Sequence, residues 1–391
     1  MARSYDLVLF GATGFTGGLT AEYLAAHAPA GLRWALAGRN RQKLAAVRDR
    51  LGPSAADLPL LHADATDAAS LRAVAADARV VASTVGPYVR HGEPLVAACA
   101  AAGTDYTDLT GEPRFVDEMY LRHHQTALRT GARIVHACGF DSIPADLGAY
   151  FTVRQLPEGV PLRLESFLRL SGRPSAGTVH SLVEAVGDTV AARRAHSARR
   201  RREGSPAGRR VRLTGPLPRT HPLGVWTVPL PTLDPQVVAR SAATLDRYGP
   251  DFSYMHHLTL PTPFHAAGVV AGTAALVVAA RIPPLRRQIL ARWTSGSGPT
   301  EEQREAGWFT VRFTGTAADG TRVVTEVHGD RDPGYASTAT MLAEAALCLA
   351  CDELPATAGQ VTTAVAMGDR LVERLDAAGI TFRTLRRRPA T

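Results

Sequence analysis

Three glycines separated by two residues each, Gly11, Gly14 and Gly17, follow directly on the apolar run Leu7-Val8-Leu9-Phe10. A buried strand that breaks into such glycines and then enters a helix is suited to hold a diphosphate. Gly11 permits the tight turn, Gly14 lets backbone approach the anion, and Gly17 lets the helix pack close to the sheet. The cofactor cradle is therefore expected along Gly11-Ala12-Thr13-Gly14-Phe15-Thr16-Gly17 and at the helix N-terminus that it opens. A plain strand–helix turn is the competing reading.

The next strand ends in Ala37-Gly38-Arg39-Asn40. A fold that prefers NAD places an acid near this point for the ribose 2′-hydroxyl, whereas an arginine suits a 2′-phosphate. Arg39 therefore points to NADPH/NADP, against the alternative of a solvated residue at a helix start. Asp64 is placed to meet the adenine edge or, with Asp67, to cap the following helix. Val85, Gly86 and Pro87 follow the fourth strand, where backbone passes close to a nicotinamide ribose. Lys43 is the sole lysine, so a Schiff-base lysine, a P-loop lysine after the glycines and a Tyr/Lys proton relay are all excluded.

These residues need a frame to hold them. Strands are expected at Asp6–Phe10, Arg33–Ala37, Leu58–His62, Arg79–Thr84, Thr104–Asp108 and Arg133–Ala137. Helices are expected at Gly17–His27, Arg41–Leu51, Ala68–Asp77, Pro94–Ala102 and Arg114–Thr130. That alternation predicts an α/β fold with an N-terminal doubly wound Rossmann domain over residues 1–145, completed by C-terminal helices in 334–391. Residues 146–333 read as an α+β substrate and dimerisation domain with a mainly antiparallel sheet. Its strands are Leu162–Leu170, Trp226–Leu230, Trp308–Gly315 and Arg322–Gly329, with a helix at Thr178–Arg193 capped by Ser175-Ala176-Gly177. From Tyr335 to Glu353 an alanine-rich helix is expected to pack back on the first domain.

At 391 residues, with 45% hydrophobic and 20% charged side chains, the chain has the composition of a soluble two-domain protein. Met1-Ala2-Arg3-Ser4 leads straight into a strand, so a cytoplasmic location is expected, with peripheral contact at the inner face of the plasma membrane as an option. Cys99, Cys138, Cys348 and Cys351 are too scattered for a disulfide framework, and the Cys348/Cys351 spacing sits in an apolar run that reads as a core-facing helix; no metal site is expected.

The net charge of +8 gathers at Arg193–Arg212, including Arg199-Arg200-Arg201-Arg202. This stretch reads as a mobile surface loop, either simply solvated or docking an acidic partner such as an acyl carrier protein or an anionic lipid surface. Nucleic acid is not expected, since interleaved aromatics are missing. Ala266–Ala280 is almost wholly small and apolar and is followed by Arg281, Arg286 and Arg287. A buried helix lining a substrate tunnel is the first reading of it, and an interfacial membrane anchor the second.

Together with the glycine turn and Ala37–Arg39, four further blocks carry a family resemblance. They are Gly86-Pro87-Tyr88, Gly92–Val96, Asp108-Leu109-Thr110-Gly111-Glu112 and Cys138–Pro144, with Gly329–Tyr335 and Ala366–Gly368 later in the chain. The sequence resembles the saccharopine dehydrogenase-like oxidoreductases, most closely the trans-acting enoyl reductases of actinobacterial lipid assembly.

The resemblance implies an NADP-dependent reductase that saturates a carbon–carbon double bond in a lipid or polyketide intermediate; an acyl carrier protein is the expected bearer of the acyl group, and the second domain is expected to form a homodimer. Hydride addition at the β-carbon of an enoyl thioester needs a stabilised enolate and a proton at the α-carbon. Tyr88 is the candidate hydroxyl, against a packing role, and Asp141 with Ser142 a candidate proton relay, against helix capping. His91 and Glu112 lie in loops on the same side, and water is an alternative donor. Two other functions stay open: a non-catalytic NADP-binding lipid-surface scaffold or redox sensor, and a saccharopine-type imine reductase.

Overall fold

The computed structural model describes residues 3–171, 189–204, 208–213, 219–220, 226–230, 232–292 and 298–389. Seven parallel strands make the first layer: β1 (Tyr5–Phe10), β2 (Trp34–Gly38), β3 (Leu60–His62), β4 (Ala78–Ser83), β5 (Asp105–Asp108), β6 (Arg133–Val135) and β14 (Gly359–Val361), the numbers running through both sheets in chain order. Their order is β14-β6-β5-β4-β1-β2-β3. Leu7 to Phe10 are all buried, as a central strand covered by helices on both faces requires. Leu9 stands beside Leu36 on one side and Ala82 on the other, which aligns the ends of β1, β2 and β4 along one edge. Strand β6 ends two residues earlier than its sequence predicts. There Ala137 takes a left-handed φ of 60°, and the chain turns toward Asp108.

The second layer holds β7 (Leu162–Ser171), β8 (Arg210–Leu213), β9 (Arg219–Thr220), β10 (Trp226–Pro229), β11 (Asp251–Leu260), β12 (Trp308–Ala317), β13 (Arg322–Gly329) and β15 (Ile380–Arg388). Seven of them run β15-β13-β12-β7-β11-β10-β9, with β8 paired to β11. The sheet is mostly antiparallel, but β11 lies parallel to both β7 and β8. Buried residues alternate along β12 and β13, and the buried face packs under the helix Ile143–Val153. The helix Asp234–Thr244 also packs on that helix and on β11.

The C-terminal residues serve both layers. Helix Thr338–Cys351 is buried along nearly its whole length and packs on helix Phe15–His27 and on β4 and β5. The chain then adds β14 to the parallel sheet. Its last strand, β15, crosses to the edge of the second sheet instead of completing the first domain.

Two expectations are corrected. The basic stretch is not a loop from Arg193 onward: residues Thr189–Glu203 form a helix, and β8 begins at Arg210. Arg199 is buried against Asp117 and Glu203 and lies over the Tyr120 ring at 4.2 Å, so its charge is matched within the fold. Ala266–Ala280 lies in a helix, Pro263–Arg281, but that helix is not buried; Ala266 and Ala280 are its two buried residues. The Ser175–Gly177 cap and residues 178–188 of the helix expected there lie outside the described residues.

Candidate cofactor cradle and carboxylate seam

The glycine turn has the shape its spacing requires. Gly11 sits at φ 96°, and a Cβ there would meet the Thr84 hydroxyl and Val85 at 2.6 and 2.7 Å. A Cβ on Gly17 would lie 2.2 Å from the Gly11 carbonyl oxygen. Thr84 braces the turn, its hydroxyl donating to the Gly11 carbonyl at 3.1 Å. Ala12 is buried beneath the loop, while Thr13 and Gly14 form its exposed rim and Thr16 is half-buried. Helix Phe15–His27 begins with no side-chain cap and no acid in its first turn. Open N–H groups at an acid-free helix start, behind a cradle that a Cβ would fill, fit the diphosphate of NADP. The Phe15 ring faces elsewhere, edge-on to Tyr335 at 4.9 Å and under Arg304.

Arg39 is exposed at the end of β2, close enough to Asp64 to help hold that carboxyl below its usual range. The larger causes are the bonds Asp64 accepts from the Thr66 N–H and hydroxyl, so Asp64 shapes the turn ahead of the next helix. The cap of that helix is Asp67, which accepts from Ala69 N–H.

Beyond Val85 and the exposed Gly86, Pro87 leads into Tyr88, the candidate hydroxyl. The Tyr88 hydroxyl donates to the Ser83 carbonyl at 2.9 Å and accepts from Leu109 N–H at 3.1 Å. The residue is buried, its ring 5.8 Å from Phe115. With its hydroxyl bonded to backbone on both sides, Tyr88 ties the end of β4 to the residue after β5, the packing role that competes with proton donation.

The Asp108–Glu112 block has a matching role. The Asp108 carboxylate accepts from Thr110 N–H and Ala137 N–H and contacts His136 Nδ1 at 2.6 Å. Glu112 receives the N–H groups of Tyr88 and Val89 with its two oxygens. One acid thus joins the ends of β5 and β6, and the other holds the short turn after β4.

Asp141 lies just past this knot, where Phe140 meets Phe309 of the second sheet at 4.9 Å. Partial removal from water pushes its carboxyl up to about 7, and the charges of Asp234, Asp108 and Glu112 add to the shift. Burial also pushes Asp234, at the start of helix Asp234–Thr244, up to about 7. Asp234 in turn acts on Tyr254, whose hydroxyl joins the Ser166 hydroxyl at 2.7 Å. Ser166 also meets His256 Nδ1 at 2.7 Å, and burial pulls His256 down to about 4, leaving its ring neutral. Sequence reasoning missed Asp234, Ser166, Tyr254 and His256. They come from three separate elements, and no spacing signal links them.

The expected residues therefore fall into three groups along one edge. Gly11–Gly17 with Val85–Pro87 lie at the ends of β1 and β4, Arg39 lies one strand outward after β2 and Asp64 two strands outward after β3, and Asp141 stands among carboxylates where the two sheets meet. Such a seam offers a carboxyl that still holds a proton near neutral pH.

Residues 7–135 match the family model described as the saccharopine dehydrogenase NADP binding domain. The trans-acting enoyl reductases of Mycobacterium bovis and Mycobacterium tuberculosis are each 40% identical to the chain, over 98% of it and 98% of their own length. That of Mycobacterium ulcerans is 39% identical over 97% of both. Among solved structures, the apo L-Glu-forming saccharopine dehydrogenase of Saccharomyces cerevisiae is similar in fold, with a TM-score of 0.59 over 98% of this chain and 99% of that one at 12% identity. The chain belongs to the saccharopine dehydrogenase-like oxidoreductases, in the branch of the trans-acting enoyl reductases.

Proposed function

We propose that the protein is an NADPH-dependent reductase that saturates the α,β double bond of an enoyl thioester carried by a lipid or polyketide synthase. The full-length likeness to trans-acting enoyl reductases carries this reading. Bound NADPH would supply the hydride for the β-carbon. The chain's own residues have three tasks: to hold the diphosphate, to seat the alkene in the seam, and to return a proton to the α-carbon. Gly11–Gly17 and the first turn of helix Phe15–His27 hold the diphosphate, with Arg39 at the 2′-phosphate.

Asp141 is the proton donor in this reading. Its carboxyl loses one proton to the α-carbon and regains one from solvent, so each turnover consumes one hydride and one proton. Burial, with the charges of Asp234, Asp108 and Glu112, keeps that proton available near pH 7. The acyl group arrives on an acyl carrier protein in the cytoplasm, and two copies of the chain associate through the second domain.

The test follows NADPH oxidation at its absorbance band with enoyl thioesters on CoA and on carrier protein. Turnover with these acceptors is expected. Tight NADPH binding without turnover across the enoyl panel would instead favour a scaffold or sensor. Turnover only with an amine and a keto acid would move the protein to imine reduction.

A further inference from the structure

Helix Pro263–Arg281 is in an environment its composition does not suit. Thr262 caps it by accepting from His265 N–H, and it runs about 28 Å at 1.5 Å per residue. It touches β10 and β11, and across Ile282 it meets helix Pro283–Arg292 at a bend. Elsewhere it faces solvent: Phe264 is 85% exposed, and Val270 and Val278 are 50% and 60% exposed. Ile282 and Leu285 continue the patch past the bend. A helix apolar on every side belongs in a protein core or in lipid. Gly268, Gly272 and four valines also give it little intrinsic stability in water. An apolar patch of this extent marks a surface that something covers.

Charge selects the occupant. No Asp or Glu occurs between Asp251 and Glu301, while Arg281, Arg286, Arg287 and Arg292 all fall in that interval. Arg281 and Arg287 are exposed beside the patch. A second copy laid on this face would bring the exposed Arg281 and Arg287 toward their own counterparts. An anionic headgroup layer offers negative charge to Arg281 and Arg287 and accepts the apolar helix beneath it. The segment leaves the second sheet at β11 and rejoins it at β12, so a helix lying in the interface keeps both strands on one side of the bilayer.

We propose that the segment of residues 263–292 is a monotopic anchor for anionic phospholipid surfaces. The apolar helix sits at the headgroup–acyl boundary, and Arg281 and Arg287 meet lipid phosphates. This inference is independent of the reaction proposed above.

Flotation of the full chain with vesicles of phosphatidylglycerol and phosphatidylcholine, against pure phosphatidylcholine, tests it. Binding to the anionic vesicles is expected, at least tenfold tighter than to neutral ones and weakened by salt. Arg281→Glu with Arg287→Glu should lower the partition coefficient at least tenfold. Val270→Asp with Val278→Asp should abolish binding, with unchanged circular dichroism and NADPH affinity as the check on folding. A wild-type chain left unbound by both vesicle types overturns the proposal, as does equal binding to both that the arginine variant leaves intact. A dimer broken by Val270→Asp with Val278→Asp, without lipid binding, overturns it in favour of a second copy.

Discussion

Arg39 stands exposed at the end of β2, with Asp64 the carboxylate it influences. A guanidinium so placed has charge to give to a 2′-phosphate, and such charged hydrogen bonds contribute about 1.5–3 kcal/mol. Arg39→Ala should therefore weaken NADPH roughly 10- to 100-fold by titration calorimetry and leave NADH unchanged. Equal losses for both cofactors would return Arg39 to the solvent. Asp141 makes a second case at this scale. As an acid it must be protonated, so kcat should fall as pH rises through about 7. Asp234→Asn removes the largest charge acting on it; Asp141 then ionises more readily, and the falling limb moves to lower pH. Asp141→Asn should cost roughly 10²–10⁴ in kcat. A limb that stays in place in Asp234→Asn would separate the two carboxyls. The same shifts bear on stability. Both acids keep their protons to higher pH folded than unfolded, so they favour the fold fully below about pH 4 and lose that effect as pH rises through about 7.

Elements gain their positions from buried polar ties. Tyr88 holds the Ser83 carbonyl and the Leu109 N–H at once. Tyr88→Phe leaves both buried groups unpaired and should cost about 1–3 kcal/mol in urea denaturation. If the residue is a pin, kcat falls far less than 100-fold in the folded variant; full stability with a 100-fold loss would restore the hydroxyl to the chemistry. The contrast also explains what could be read from the residues in order. The strand and helix rhythm of residues 5–135 was legible because burial there repeats locally and glycines punctuate it. The glycine turn was legible for the same reason. The Tyr88 hydroxyl was not, because its partners lie five and twenty-one residues away on two strand ends. The helix Thr189–Glu203 was hidden too, since its arginines read as solvated until Asp117, 82 residues upstream, supplies the countercharge.

At the scale of the whole molecule the two sheets share one C-terminal segment, so neither should be stable alone. Helix Thr338–Cys351 covers the face of β4 and β5, and Glu344 within it accepts from the Tyr23 hydroxyl at 2.7 Å and from Arg374 at 3.1 Å. Arg374 also pairs with Asp352. Asp146, fully buried at the junction, accepts from Ser241, Thr363 and Ala364, joining three distant parts of the chain. Its carboxyl is pushed up by burial, with these donors pulling the other way. A fragment of residues 1–153 keeps the glycine turn but loses the helix over β4 and β5, the strand β14 beside β6, and the Ser241, Thr363 and Ala364 partners of the Asp146 carboxylate. Leu7, Leu9, Val80 and Ala82 belong to the same core as Met341, Leu342 and Ala345, so the fragment would leave that apolar face in water. The full chain should then unfold in a single cooperative calorimetric transition. The fragment should bind a hydrophobic dye, melt without cooperativity and retain NADPH at least tenfold more weakly. Adding residues 334–391 through a flexible linker should restore the first sheet's protection in hydrogen exchange, because β14 and the covering helix return together. A fragment that melts sharply and binds NADPH like the full chain would mean that the cradle is carried by an autonomous domain.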